Sequence, residues 1–142
     1  MQCKIIVMSN LRFATAIHIL VLTEKFKNQL ITSEFIAGSI NINPVVVRRE
    51  IKFLREAGLI GAKKGKEGGC FLAKDPNDIL IGDVYRIVNQ ENTFAKLNQT
   101  NPICPIGKQM NENLEDLFNK AERDLISSLN KKTLKEFSNE FE

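Results

Sequence analysis

The chain has 142 residues, with 20 Lys/Arg, 17 Asp/Glu and one His for a formal net charge of +3. That length fits one domain, or one domain with an appended helix. The apolar runs at residues 5–7 and 17–22 are too short for a membrane span. Cys3, Cys70 and Cys104 are odd in number and scattered, with no Cys-x-x-Cys pair, which argues against a disulfide framework and against a closed zinc site.

An enzyme is a poor reading, because the chain offers one histidine, no placeable pair of catalytic carboxylates and no nucleophile motif. No apolar segment leads to a small-residue cleavage site, so a cytoplasmic location is expected. The net charge conceals a polarity. Residues 1–74 hold 12 Lys/Arg against 5 Asp/Glu, net +7, and residues 75–142 hold 8 against 12, net −4. A basic half suits a polyanion, and its separation from an acidic half suggests two jobs.

In chain order, residues 1–7 are apolar and fit no later pattern; they read as an N-terminal extension before a start at Met8, or as a short strand or arm that packs on a partner. Ser9 or Asn10 can cap a first helix with Phe13, Ala16, Ile17, Leu20 and Val21 at three-and-four spacing. Thr32 or Ser33 caps a second helix that turns Phe35, Ile36 and Ala37 inward and ends at Gly38-Ser39. Asn43 caps a third helix with Pro44 at its first position, where the missing N–H costs nothing, and Gly58 ends it.

Two such helices joined by a tight turn read as helix-turn-helix. Val47, Ile51 and Leu54 form the inward face of the third helix, and Val45, Arg48, Arg49, Lys52 and Arg55 lie opposite. Residues 59–62 and 70–73 are short strand candidates around Lys63-Lys64-Gly65-Lys66-Glu67-Gly68-Gly69, a basic hairpin tip that would track a nucleic-acid backbone.

A fourth helix carries Ile81, Val84, Tyr85 and Val88, capped by Asp75 or Asp78, and residues 91–99 form a polar connector around Phe94 and Leu97. A long amphipathic helix then repeats Ile106, Met110, Leu114, Leu117, Ala121, Leu125 and Leu129 at alternating four-and-three spacing, a seam suited to a second copy of the chain. A last helix from about Thr133 to Phe141 folds back through Leu134 and Phe137.

The ordered set Arg12-Phe13-Ala14-Thr15-Ala16-Ile17-His18-Ile19-Leu20, Ile36-Ala37, Leu54-Arg55-Glu56-Ala57-Gly58-Leu59-Ile60, Gly65, Gly68-Gly69, Phe71-Leu72-Ala73-Lys74 and Ile79-Leu80-Ile81-Gly82-Asp83-Val84-Tyr85 resembles the Rrf-two family of winged helix-turn-helix transcriptional regulators, from about Met8 to the C-terminus. This is the group of IscR, NsrR and CymR, and Asn101–Gly107 is similar to its YwnA-type subgroup. The resemblance implies a mainly α fold with a small β-wing: a winged helix-turn-helix domain over 8–78 and a helical dimerisation and sensing region over 79–142, with a long C-terminal dimerisation helix. It implies a homodimeric, sequence-specific DNA-binding regulator, mostly a repressor, with a palindromic duplex as partner.

The expected DNA contacts are Thr32, Ser33, Asn43, Pro44, Val45, Arg48, Arg49, Lys52, Lys63, Lys64, Lys66, Gly68 and Gly69. Cluster-binding members of the family carry three close cysteines before the long helix, whereas this chain has Cys104 alone, so no iron–sulfur cluster and no other cofactor or metal is expected.

Control is expected from a redox or small-molecule signal. Cys104 stands between two prolines at a helix start. It is either a reactive sensor thiol or a buried, inert cysteine filling a gap. Cys70 is a weaker candidate, and His18 reads as a packed or surface histidine. The competing class is a thiol-redox or metal-binding regulatory protein acting through protein contacts. A further variant keeps DNA binding and places a small effector between the long helix and the winged domain.

Overall fold

The structure, a computed structural model, describes residues 11–89 and 95–142. The expected caps Ser9 and Asn10, the segment 1–7, Cys3 and the connector's Phe94 lie outside the described residues. The elements run α1 (Arg12–Lys25), α2 (Ser33–Ile40), α3 (Pro44–Glu56), β1 (Ile60–Lys63), β2 (Gly69–Leu72), a 3-10 turn (Pro76–Asp78), α4 (Ile81–Val88), α5 (Pro105–Leu129) and α6 (Leu134–Ser138). Helices around a two-stranded antiparallel wing match the expected fold class. Among the described residues no helix is long and apolar enough to cross a membrane.

The core gathers on α1. Ala16, Ile19 and Leu20 are fully buried and share one cluster with Ile36 of α2, Val47, Ile51 and Leu54 of α3, Ile60 and Cys70 of the wing, Val84 and Val88 of α4, and Leu134 of α6. Burying a side chain the size of Ile19 or Leu20 contributes about 2 kcal/mol. Phe13 and Ile17 are only partly buried against this cluster, and Phe13 meets Tyr85 edge-on at 5.5 Å between ring centroids. The cluster crosses residue 78, so α4 and α6 brace the winged domain directly.

Local chemistry explains the boundaries. The Thr32 hydroxyl accepts from Phe35 N–H at 3.1 Å and starts α2. The helix continues through Gly38-Ser39 to Ile40 and stops only where Asn41 turns left-handed at φ 66°, one of the few conformations asparagine tolerates better than most residues. Phe35 does not face inward as expected. It is 48% exposed and packs edge-on against Phe26. Asn43 Oδ1 accepts from Val45 N–H at 2.9 Å, Pro44 opens α3, and Gly58 follows its end at φ +80°.

The wing strands are each shifted by one residue from expectation and pair from Ile60 with Leu72 to Lys63 with Gly69. Cys70 also bridges to Ile31 through N–H···O bonds of 2.8 and 3.0 Å, which seats the wing on the entry to α2. A Cβ at Gly69 would lie 2.7 Å from the Ile31 carbonyl oxygen, so this seating requires glycine.

Asp75 caps the 3-10 turn, accepting from Asn77 N–H at 2.9 Å, and neither Asp75 nor Asp78 caps α4, whose N-cap is Leu80 without a side-chain bond. The C-terminal segment pairs there instead: Ile81 N–H donates to the Lys132 carbonyl and Leu134 N–H to that of Ile79. α5 packs on α4, and near its end Ile126 is its one buried residue.

The last helix is shorter than expected. Thr133 and Glu136 form a reciprocal capping box that starts it, and it ends at Ser138. α6 is clamped to α1 by a buried acid: Lys135 Nζ donates to Glu24 at 2.8 Å, and the Ser138 hydroxyl donates to its other oxygen. Burial pushes the Glu24 carboxyl up, but hydrogen bonds from Lys135 and Ser138 and the charges of Lys135 and Lys25 outweigh it, leaving the pKa below the ordinary 4.5.

A depressed folded pKa stabilises the fold in full above the unfolded value and loses that contribution as pH falls through the folded one. Glu24→Gln is therefore expected to cost about 2–3 kcal/mol at neutral pH, the scale of hydrogen bonds to a charged group. In thermal melts from pH 7 to pH 3 the gap between wild type and variant should close below pH 4.5; a gap that stays constant across that range would show that the clamp is not acting through the ionised carboxylate.

Candidate nucleic-acid interface

α3 has two chemically distinct faces because its apolar residues recur at i, i+4 and i+7. Val47, Ile51 and Leu54 are buried; Val45, Arg48, Arg49, Lys52 and Arg55 are exposed, as the sequence predicts. Arg48 Nη2 lies 2.7 Å from Glu34 Oε1 of α2. The Glu34 carboxyl sits below its usual range, first through its own backbone N–H and then through the Arg48 hydrogen bond. Both side chains are more than half exposed, so solvent screens the pair and leaves it easily exchanged for another anion.

The rest of the expected set falls into two groups. Lys63, Lys64 and Lys66 are exposed at the wing tip, while Gly68 and Gly69 are half-buried and serve the turn and its seating. At the start of α2, the Thr32 hydroxyl is committed to its cap, and Ser33 is half-buried at the first helical position. Asn43 is exposed but likewise occupied by its cap bond, with Pro44 half-buried beside it.

One acid on α3 escapes the face-by-face reading. Glu50, three residues after Val47 and four before Leu54, is 1% exposed, and Arg12 Nε of α1 donates to its Oε1 at 2.9 Å. A lone acid on an apolar stripe is the signal that could have found it, since a buried carboxylate demands a counter-charge.

On the long helix, the seam residues Ile106 (69%) and Leu117 (60%) are strongly exposed; Met110, Ala121 and Leu125 are also exposed, and Leu114 and Leu129 are half-buried. Where the seam ends, Leu129 joins Phe13, Ile17, Val21, Leu22 and Phe137 around a groove of about 1160 Å³ between α1, α5 and α6. His18 Nε2 stands 2.9 Å from Ser39 Oγ at its edge, and burial lowers the His18 pKa.

Cys104 is the N-cap of α5, with its Sγ accepting from Gly107 N–H at 3.4 Å. It is exposed, which overturns the reading of a buried gap-filler. Cys70 is buried in the wing and its thiol is pushed up to about 11 by burial, so it stays protonated and unreactive near neutrality. Among the described residues no group of three or more His, Cys, Asp or Glu side chains is placed to hold a metal ion.

Residues 9–140 match the profile of the Rrf2 family, described as an iron-dependent transcriptional regulator. The chain is 42% identical over 133 residues to the candidate HTH-type transcriptional regulator YwnA of Bacillus subtilis (strain 168), covering 93% of this chain and 98% of that one. A crystal structure described as a candidate DNA-binding protein superposes with a TM-score of 0.69 at 40% identity, covering 89% of this chain and 97% of that one. The fold is shared with CymR (YrzC), the global cysteine regulator of B. subtilis, at a TM-score of 0.68, 18% identity and coverage of 92% and 95%.

Proposed function

The chain belongs to the Rrf2 family of transcriptional regulators, and from that premise we propose that it is a cytoplasmic, homodimeric repressor that reads a palindromic duplex through α3 and the wing. The observation that carries this reading is the placement of Arg48, Arg49 and Lys52 on the exposed face of α3, with Lys63, Lys64 and Lys66 exposed on the adjoining wing. Arginine forks can read guanine edges in the major groove. Wing lysines neutralise phosphates and position the domain without reading sequence. The relatives and the fold are those of regulators, not enzymes.

The homodimer is supported by two apolar surfaces that this chain leaves uncovered, the α5 seam and the groove beside α1. α5 has 25 residues, a length of about 37 Å, of which Ile126 alone is buried in this chain. The seam runs into the groove at Leu129, so a second copy's α5 laid along both would cover them together, and a two-fold pairing of that kind presents two α3 helices to successive major grooves.

The chain is read as working without an iron cluster or other metal. The only described thiol at the head of α5 is Cys104, and the buried Cys70 belongs to the wing, so these residues do not fit a cluster that needs several thiolates. The exposure of Cys104 favours an oxidant as the signal over a small molecule in a groove that the second copy fills. In that chemistry the thiolate sulfur attacks one oxygen of a peroxide, the O–O bond breaks, and hydroxide leaves to give a sulfenic acid.

Three measurements test these assignments, using an operator selected from a random duplex pool. Arg49→Ala should lower the preference for operator over random DNA by about tenfold or more. Lys64→Ala should weaken both alike and reduce the slope of log affinity against log salt by about one. Equal losses on both duplexes for both variants would refute the division of labour. Leu117→Asp should convert a dimer to a monomer in sedimentation and abolish tight operator binding, and a dimer that persists would exclude the seam. Hydrogen peroxide should release wild type, but not Cys104→Ser, from the operator; identical responses would place the signal elsewhere.

A further inference from the structure

A carboxylate removed from water on a helix that offers its other face to a polyanion requires an account. Glu50 has a side chain 1% exposed. Its Oε1 accepts from Arg12 Nε at 2.9 Å, and its Oε2 lies 3.3 Å from both Nε and Nη2 of the same guanidinium. The guanidinium in turn stacks over the Phe53 ring of α3, with its carbon 4.8 Å from the centroid. Arg12 is thus held on two sides, by a carboxylate and by a π face, and it ties the start of α1 to the middle of α3.

The same carboxylate serves a second arginine. Arg49 Nε, on the exposed side of α3, stands 3.7 Å from Glu50 Oε1. That separation is an ion pair without a hydrogen bond, so it orients the guanidinium while leaving its donors available to a ligand. Stability alone does not call for an acid at this position. It falls on the apolar stripe between Val47 and Leu54, and a buried ion pair is often replaceable by apolar residues of similar volume without loss of stability.

We propose that Glu50, fixed by Arg12, is a positioning residue for DNA reading: it sets the resting direction of the Arg49 fork. An unrestrained arginine samples many rotamers, and a base edge is read by only a few of them; holding the fork in advance removes that ordering cost from the operator complex. The proposal rests on the assignment of Arg49 as a base-reading residue.

The test is the full-length double variant Arg12→Met/Glu50→Leu, which removes both charges, leaves the net charge unchanged and keeps the volume. It should melt close to wild type and bind random DNA with unchanged affinity and salt slope, while its preference for the selected operator falls about tenfold. Combined with Arg49→Ala it should add no further loss of preference, because both act through one fork.

A stable double variant with full operator preference overturns the proposal. If that variant does not fold, Glu50→Gln is read by the same ratio of operator to random affinity and decides in the same way. The two assignments fail separately. If Arg49→Ala keeps operator preference, the base-reading assignment falls and the positioning role with it. If Arg49→Ala loses preference but the double variant keeps it, only the positioning role falls.

Discussion

Everything else in this molecule is arranged around the burial of α1. Ala16, Ile19 and Leu20 are completely enclosed, and the residues that enclose them come from α2, α3, the wing, α4 and α6. A 14-residue helix surrounded in this way cannot shift without disturbing several interfaces, because close-packed interiors have little free volume. The basic helix α3, the wing and the C-terminal brace therefore share one reference frame. Two buried acids add polar specificity to that packing: Glu50 meets Arg12 at the start of α1, and Glu24 meets Lys135 and Ser138 near its end.

With that frame rigid, each remaining surface can be given over to a partner. The exposed face of α3 carries cations whose counter-ions are either exposed, as Glu34 is for Arg48, or already shared, as Glu50 is between Arg12 and Arg49. The wing extends this basic surface, and the Ile31–Cys70 bridge holds its root against the entry to α2. Farther along the chain, α5 leaves most of its apolar seam uncovered. Near its C-terminal end its backbone comes close enough to α4 that a Cβ at Gly82 would lie 2.6 Å from the Ile126 carbonyl oxygen. The basic surface falls within the net-positive half of the sequence and the apolar seam within the net-negative half.

Much of this was legible residue by residue. The Asn43-Pro44 start of α3, the inward triad Val47, Ile51 and Leu54, the cations opposite them and the glycine-rich lysine tip of the wing all follow from local rules of capping, periodicity and turn formation. The errors share a cause. The pattern turns Phe35 inward with Ile36 and Ala37, yet Phe35 stays exposed against Phe26. Local sequence offers Asp75 and Asp78 as caps for α4, but the Lys132 carbonyl accepts the Ile81 N–H from 51 residues further along the chain. The inert reading of Cys104 requires a buried thiol, and the thiol is exposed.

The sequence by itself determined the order and character of the elements, the two faces of α3 and the apolar stripe on α5, because each depends on spacing within one helix or one turn. Only the tertiary structure decided what those faces meet. It brought Arg12 to Glu50 across 38 positions and Lys135 to Glu24 across 111, and it opened the groove beside α1 at the end of the α5 seam. Partners so distant along the chain carry no local signature: a buried charge announces that it needs a counter-ion, but only the packing of helices selects which one reaches it.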